Sequence, residues 1–140
     1  MGLLAVALTA LFVFLAGAHF YWAAGGGSAL DGFVPTDAGR PVLTPGPLAS
    51  IAVGVALLAA ALVVACRAGL LCAGLPAWMA RIGIWVLAAV FAGRAVGDFR
   101  YVGFFKRVRD TRFARRDTRL FSPLCAVIAV VAAAIGLGEP

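Results

Sequence analysis

Four stretches of this 140-residue chain are long, apolar and nearly free of charge: 3–24, 48–66, 76–97 and 123–137. No other feature restricts the fold as strongly. At 1.5 Å per residue, about 20 helical residues cross the roughly 30 Å hydrocarbon core of a bilayer. Hydrophobic residues make up 64% of the chain, against roughly 45–50% in soluble domains. A soluble protein of this size would lack the polar residues to cover such a core, so the surplus faces lipid. Ala, Leu and Val dominate the stretches without the alternation of a transmembrane barrel, which selects helices. The expected fold is an all-α integral membrane protein, one membrane domain over residues 1–140. It is a four-transmembrane-helix bundle with a basic interfacial segment between helices 3 and 4.

Local signals mark the span ends. Phe20-Tyr21-Trp22 suits an interfacial aromatic belt, and Gly25-Gly26-Gly27 ends the first helix. No Lys or Arg precedes the first apolar run, which exceeds the usual h-region of a signal peptide; it reads as a retained first span. Pro35, Pro41, Pro45 and Pro47 make the next connection an irregular loop. Pro47 and Pro76 open spans two and three. Gly93 and Gly97 form a small-xxx-small face for close helix packing. Ser122 as N-cap and Pro123 at the first helical position place the start of span four. That span is short, and it borrows Leu120 and Phe121 or thins the bilayer.

Charge is concentrated. Of twelve Lys and Arg residues, eight lie in loop 98–122 with three Asp, a local charge of +5 out of a total of +6. Four crossings put loops 25–47 and 98–122 on one side, with nine basic residues counting Arg40. Both termini and loop 67–81 lie on the other, with Arg67 and Arg81. The positive-inside rule then assigns the two larger loops to the cytoplasm and both termini to the outside of the cell membrane. Cys66, Cys72 and Cys125 form no CxxC and no metal-ligand spacing, and Cys125 lies at the opposite surface from the other two. That argues against a membrane thiol oxidoreductase; no metal and no cofactor is expected.

The same topology brings His19 and Trp22 to the depth of Arg94 and Asp98. Arg94 inside an apolar span needs a partner, and Asp98, four residues on, is the expected one. The plain reading is a helix-end ion pair reaching the interface. The functional reading is a site at His19, Arg94 and Asp98 holding a polar or anionic ligand, with His19 and Asp98 available for proton transfer.

In the basic loop, Asp110-Thr111-Arg112-Phe113 recurs as Asp117-Thr118-Arg119-Leu120. The offset of seven residues is about two helical turns, so if helical both copies face one way, with Phe113 and Leu120 toward the membrane. Upstream, Phe99, Tyr101, Phe104 and Phe105 alternate with cations. This mixture suits a segment lying on anionic lipid headgroups. The headgroup-binding candidates are Trp22, Arg100, Tyr101, Lys106, Arg107, Arg109, Arg112, Arg115, Arg116, Asp117 and Arg119. Nucleic acid is not an expected partner, because no nucleic-acid fold is available. The plain alternative is charge that only sets topology.

Three strings carry a resemblance: His19-Phe20-Tyr21-Trp22-Ala23-Ala24-Gly25-Gly26, the run Gly97-Asp98-Phe99-Arg100-Tyr101-Val102-Gly103-Phe104-Phe105-Lys106-Arg107, and Phe113-Ala114-Arg115-Arg116-Asp117-Thr118-Arg119-Leu120-Phe121-Ser122-Pro123-Leu124-Cys125. Together they resemble a family of small bacterial multi-pass membrane proteins known as a domain of unknown function. The resemblance covers nearly the whole chain. It implies a four-helix membrane architecture and transfers no activity or catalytic residue.

Three function classes follow, in order. The first is an accessory or binding membrane protein whose basic loop engages anionic lipid or an acidic partner. The second is a small membrane enzyme acting on a lipid-soluble substrate at His19, Arg94 and Asp98. The third is a small oligomeric transporter or channel, for which spans two and four offer almost no polar lining. A homo-oligomer or a membrane partner is a further candidate, and the third class points to an oligomer because four Ala-rich helices alone barely enclose a pore.

Overall fold

The computed structural model describes residues 2–26, 33–37, 40–42, 45–71 and 74–138. Among them are four helices long and apolar enough to cross a membrane. They are α1 (Gly2–Ala23), α2 (Pro47–Arg67), α3 (Ala77–Val96) and α4 (Arg112–Leu137). Between α1 and α2, strands β1 (Thr36–Asp37) and β2 (Arg40–Pro41) pair antiparallel, Thr36 opposite Pro41. Pro47 opens α2 at a position where its missing N–H costs no helical bond, and Pro76 caps α3.

The helices pack as two close pairs, α1 on α2 and α3 on α4, joined mainly through α2 and α3. Ala5, Leu8, Phe12 and Ala16 recur every three or four residues, so one stripe of α1 is buried. It meets Val64 of α2, Ile84 of α3 and Ile128 and Ala132 of α4 in one core. Phe12 stacks on Phe91 at 5.5 Å. Only 22–33% of an apolar 18-residue stretch in each span is buried inside the bundle, while Phe14, Val86, Val90 and Val130 point outward. Outward faces as apolar as the core are what lipid contact requires.

Small residues permit the close approaches, though not at the expected pair. A Cβ on Gly54 would meet the Phe20 ring at 2.6 Å, and one on Gly83 would meet Val63 at 2.9 Å. Gly93 has open space where a Cβ would go. Gly97 lies outside the helix at φ +92° and touches loop backbone instead. The small-xxx-small reading of Gly93 and Gly97 is therefore replaced by Gly54 and Gly83.

The fourth helix differs from expectation in where it begins. It starts at Arg112, eleven residues before Pro123, with the Thr111 side chain accepting from the Ala114 N–H at 3.0 Å. The turn Asp117–Phe121 is π-helical, and the Ser122 N–H bonds to the Asp117 carbonyl five residues back. A proline inside an α-helix crowds the carbonyl four residues before it. That carbonyl, on Arg119, lies within the widened turn, so the helix passes through Pro123 instead of starting there. The echo in the basic loop is consequently broken. Asp110 precedes the helix and is exposed while Asp117 is buried; Phe113 is buried while Leu120 is exposed.

Contacts fix which ends lie together. Tyr101 Oη donates to Asp37 at 3.0 Å, joining the α1–α2 and α3–α4 connections at one end. At the other end Arg67 Nη2 donates to the carbonyls of Gly136, at 3.2 Å, and Gly138, closing α4 from the end of α2.

Candidate functional site

At the basic end of the bundle the structure builds a cluster around one carboxylate. The π turn carries Asp117 inward, where it is fully buried. Its Oδ1 accepts from Arg94 Nη2 at 2.8 Å. Its Oδ2 accepts from Lys106 Nζ at 2.9 Å, the Gly103 N–H at 2.8 Å and Ser122 Oγ at 3.0 Å. Lys106, only 2% exposed, also donates to the Gly103 carbonyl at 2.9 Å. Ion pairs taken out of water offset their desolvation only when geometry and additional hydrogen bonds are good, and this one has both. Two cations on one anion leave the cluster at +1. Arg94 Nη1 is buried with no partner among the described residues.

Asp98 is not the partner of Arg94, contrary to expectation. The helix stops at Val96, and Gly97 at φ +92° turns the chain away, so the four-residue spacing does not persist. Asp98 Oδ1 instead accepts the N–H groups of Arg100, Tyr101 and Val102 at 2.9, 2.7 and 3.0 Å. Burial pushes the Asp98 carboxyl up, but the three amides outweigh it and hold the group below its ordinary value.

Those bonds close a tight loop from Gly97 to Gly103. A Cβ on Gly97 would sit 1.8 Å from the Val102 oxygen, and one on Gly103 would sit 2.2 Å from the Val96 oxygen. Both glycines have positive φ, so the loop can close only with these residues at its neck. Phe99 also takes a left-handed backbone at φ +62°, unusual for a bulky side chain. The Phe104 N–H returns to the Ala95 carbonyl at 2.8 Å. Asp117 clamps the same neck through the Gly103 N–H and Lys106.

What this clamped loop presents outward is aromatic and cationic. Phe99 and Phe105, 6.4 Å apart, and Phe104 are exposed. Arg100, Arg107, Arg109, Arg112, Arg115 and Arg119 are exposed as well. Arg100 lies over the Tyr101 ring at 5.0 Å, and Arg116 over Phe33 at 5.2 Å. A cleft of about 350 Å³ is lined by Asp98, Phe99, Arg100, Arg107 and Val108. Lys106 and Asp117, both among the sequence-predicted headgroup residues, are turned inward and hold the loop instead.

His19 makes its contacts within its own helix. Its Nδ1 donates to the Leu15 carbonyl at 2.8 Å, and its ring meets Trp22 edge-on at 5.1 Å. From Trp22 the ring contacts continue through Phe33 at 5.4 Å, Phe121 at 5.6 Å and Phe113 at 6.1 Å. His19 and Trp22 thus belong to an aromatic row that reaches the start of α4. No hydrogen bond or ion pair among the described residues joins His19, Arg94 and Asp98 to one another. No group of three metal-ligating side chains occurs among the described residues.

Sequence reasoning placed Asp117 on the surface. One available signal was its position five residues before Ser122, on a helix that extends upstream of Pro123. Gly103 carried no side-chain signal at all.

Over residues 12–132 the chain matches the family described as protein of unknown function (DUF3995), and it belongs to that family. The match spans every member of the Asp117 cluster and the whole of the closed loop. No curated protein and no solved structure matches the chain.

Proposed function

We propose that this membrane protein is a binding or accessory component that holds anionic lipid headgroups against residues 98–122. The observation that carries this reading is the closed loop Gly97–Gly103, which keeps Phe99, Phe104 and Phe105 exposed beside Arg100 and Arg107. Exposed aromatic rings cost little when they sit in the interfacial zone of a bilayer, and phosphate groups are found there. Guanidinium groups match phosphate oxygens two at a time, and Arg100 and Arg107 line one cleft, where the Oδ1 of the third charged residue, Asp98, is taken up by the loop amides. Each basic residue near an anionic surface contributes about 1 kcal/mol. The charge bias between the two ends supports a cytoplasmic position for this surface, where anionic lipid would attract it.

The test uses the full chain in neutral detergent. Short-chain phosphatidylglycerol is expected to raise its thermal midpoint more than phosphatidylcholine does. Arg100→Gln with Arg107→Gln is expected to reduce the difference without unfolding the chain, because neither side chain belongs to the Asp117 cluster. Equal shifts from the two lipids in the unaltered chain would end this reading.

A further inference from the structure

We infer a second anion site at the opposite end of the bundle, which takes the phosphate of an anionic phospholipid between Arg67 and Arg81. A cleft of about 690 Å³ lies there between the last turns of α2 and α4 and the first turn of α3. Its walls include Cys66, Arg67, Trp78, Arg81 and Leu137. The volume is within the range of small-molecule sites.

Charge selects the ligand. Among the described residues, Arg67 and Arg81 are the charged residues lining the cleft, and no acidic side chain lines it. The described acids lie elsewhere: Asp37, Asp98 and Asp117 make their contacts at the other end, and Asp110 is in the loop that precedes α4. Arg67 is held in place by the carbonyls of Gly136 and Gly138, yet its Nε is buried with no partner among the described residues. An anchored guanidinium with an unsatisfied buried donor beside a second arginine favours an anion with several acceptor oxygens. Free phosphate offers the same oxygens. The neighbouring Trp78, 64% exposed, and Leu137, 77% exposed, select a phosphate carried on an acyl body. This site shares no residue with the loop surface and stands whether or not that surface binds lipid.

Native mass spectrometry of the full chain tests it, in a background of Arg100→Gln, Arg107→Gln and Glu139→Gln. That background removes the two cations of the loop cleft and the acid that follows Gly138 in sequence. Dioctanoyl phosphatidylglycerol is expected to be retained as one adduct, and dioctanoyl phosphatidylcholine is not. Adding Arg81→Gln is expected to weaken retention about fivefold, the effect of one interfacial cation. Peptide-resolved alkylation locates the ligand: at ten times its Kd the lipid slows Cys66 modification on the order of tenfold. Equal retention of both lipids, or retention untouched by Arg81→Gln, would overturn the site. Inorganic phosphate protecting Cys66 as well as the lipid does would overturn the lipid assignment.

Discussion

Replacing Asp117 with Asn removes one negative charge from a site that holds two buried or half-buried cations. Four donors converge on this carboxylate: Arg94, Lys106, the Gly103 N–H and Ser122. Asn leaves one acceptor oxygen and points an NH₂ group at a donor. Breaking one partner out of a buried ion pair costs about 3–5 kcal/mol, because the other charge stays behind unpaired. Arg94, with its side chain 33% exposed, can turn partly to headgroups, so its share is discounted. Lys106 has no such exit at 1% side-chain exposure. The expected loss is therefore near the lower bound, about 3 kcal/mol, or roughly a hundredfold in the unfolding constant. Reversible unfolding in mixed SDS micelles, followed by Trp22, Trp78 and Trp85 fluorescence, measures it. Asp110→Asn is the internal control, since the exposed first copy of the repeat should change stability by less than about 0.5 kcal/mol. Adding Lys106→Met to Asp117→Asn should recover part of the loss by removing the stranded ammonium. Indistinguishable curves for the Asp110 and Asp117 variants would refute the reasoning.

Gly97→Ala should displace the closed loop, since its Cβ would meet the Val102 oxygen at 1.8 Å, whereas Gly93→Ala, with open space, should be nearly silent. Tryptic cleavage after Arg100 reads the difference, and equal rates would count against the neck geometry. The Asp98 carboxylate accepts three loop amides and titrates below its ordinary value of 3.8, so its stabilisation is complete above that value and lost as pH falls through the lower folded one. NMR shifts of the Arg100, Tyr101 and Val102 amides should therefore titrate with a midpoint below 3.8, and a midpoint at or above it would contradict the hydrogen-bonding account. For orientation, cysteines placed at exposed Phe105 and Trp78 should react with impermeant maleimide from opposite sides, Phe105 from the cytoplasm; reaction from one side would undo the four crossings.

The spans were legible because lipid contact demands apolar residues all round a helix, and no local accident disguises that. Pro47 and Pro76 marked helix starts for a backbone reason that holds without tertiary context. Pro123 carried the same signal and misled, because a π turn can absorb an interior proline and sequence spacing does not reveal one. The partner of Arg94 was misread for a related reason. An i,i+4 pairing with Asp98 presumes that the helix continues, and Gly97 ends it. Gly97 itself was legible as a small residue but not as a left-handed one. The 23-residue separation between Arg94 and Asp117 left no periodic trace.

The cluster has a consequence for how the surface works. A buried ion pair adds little net stability compared with well-packed apolar residues, but it is strongly directional. Asp117 satisfies α3 through Arg94, the loop through Gly103 and Lys106, and its own helix through Ser122. One carboxylate thereby fixes the register of three segments, and an apolar residue there would leave the loop free to rotate. With Lys106 turned inward at the neck, the cluster offers no acid to Arg100 and Arg107; Arg100 reaches Asp37 at 3.8 Å, and both guanidinium groups stay exposed. The buried anion thus holds the loop that carries the exposed cations. If Asp117→Asn lowers stability while Arg100 and Arg107 still bind phosphatidylglycerol with unchanged affinity, the clamp is structural only and the presentation of the loop must have another cause.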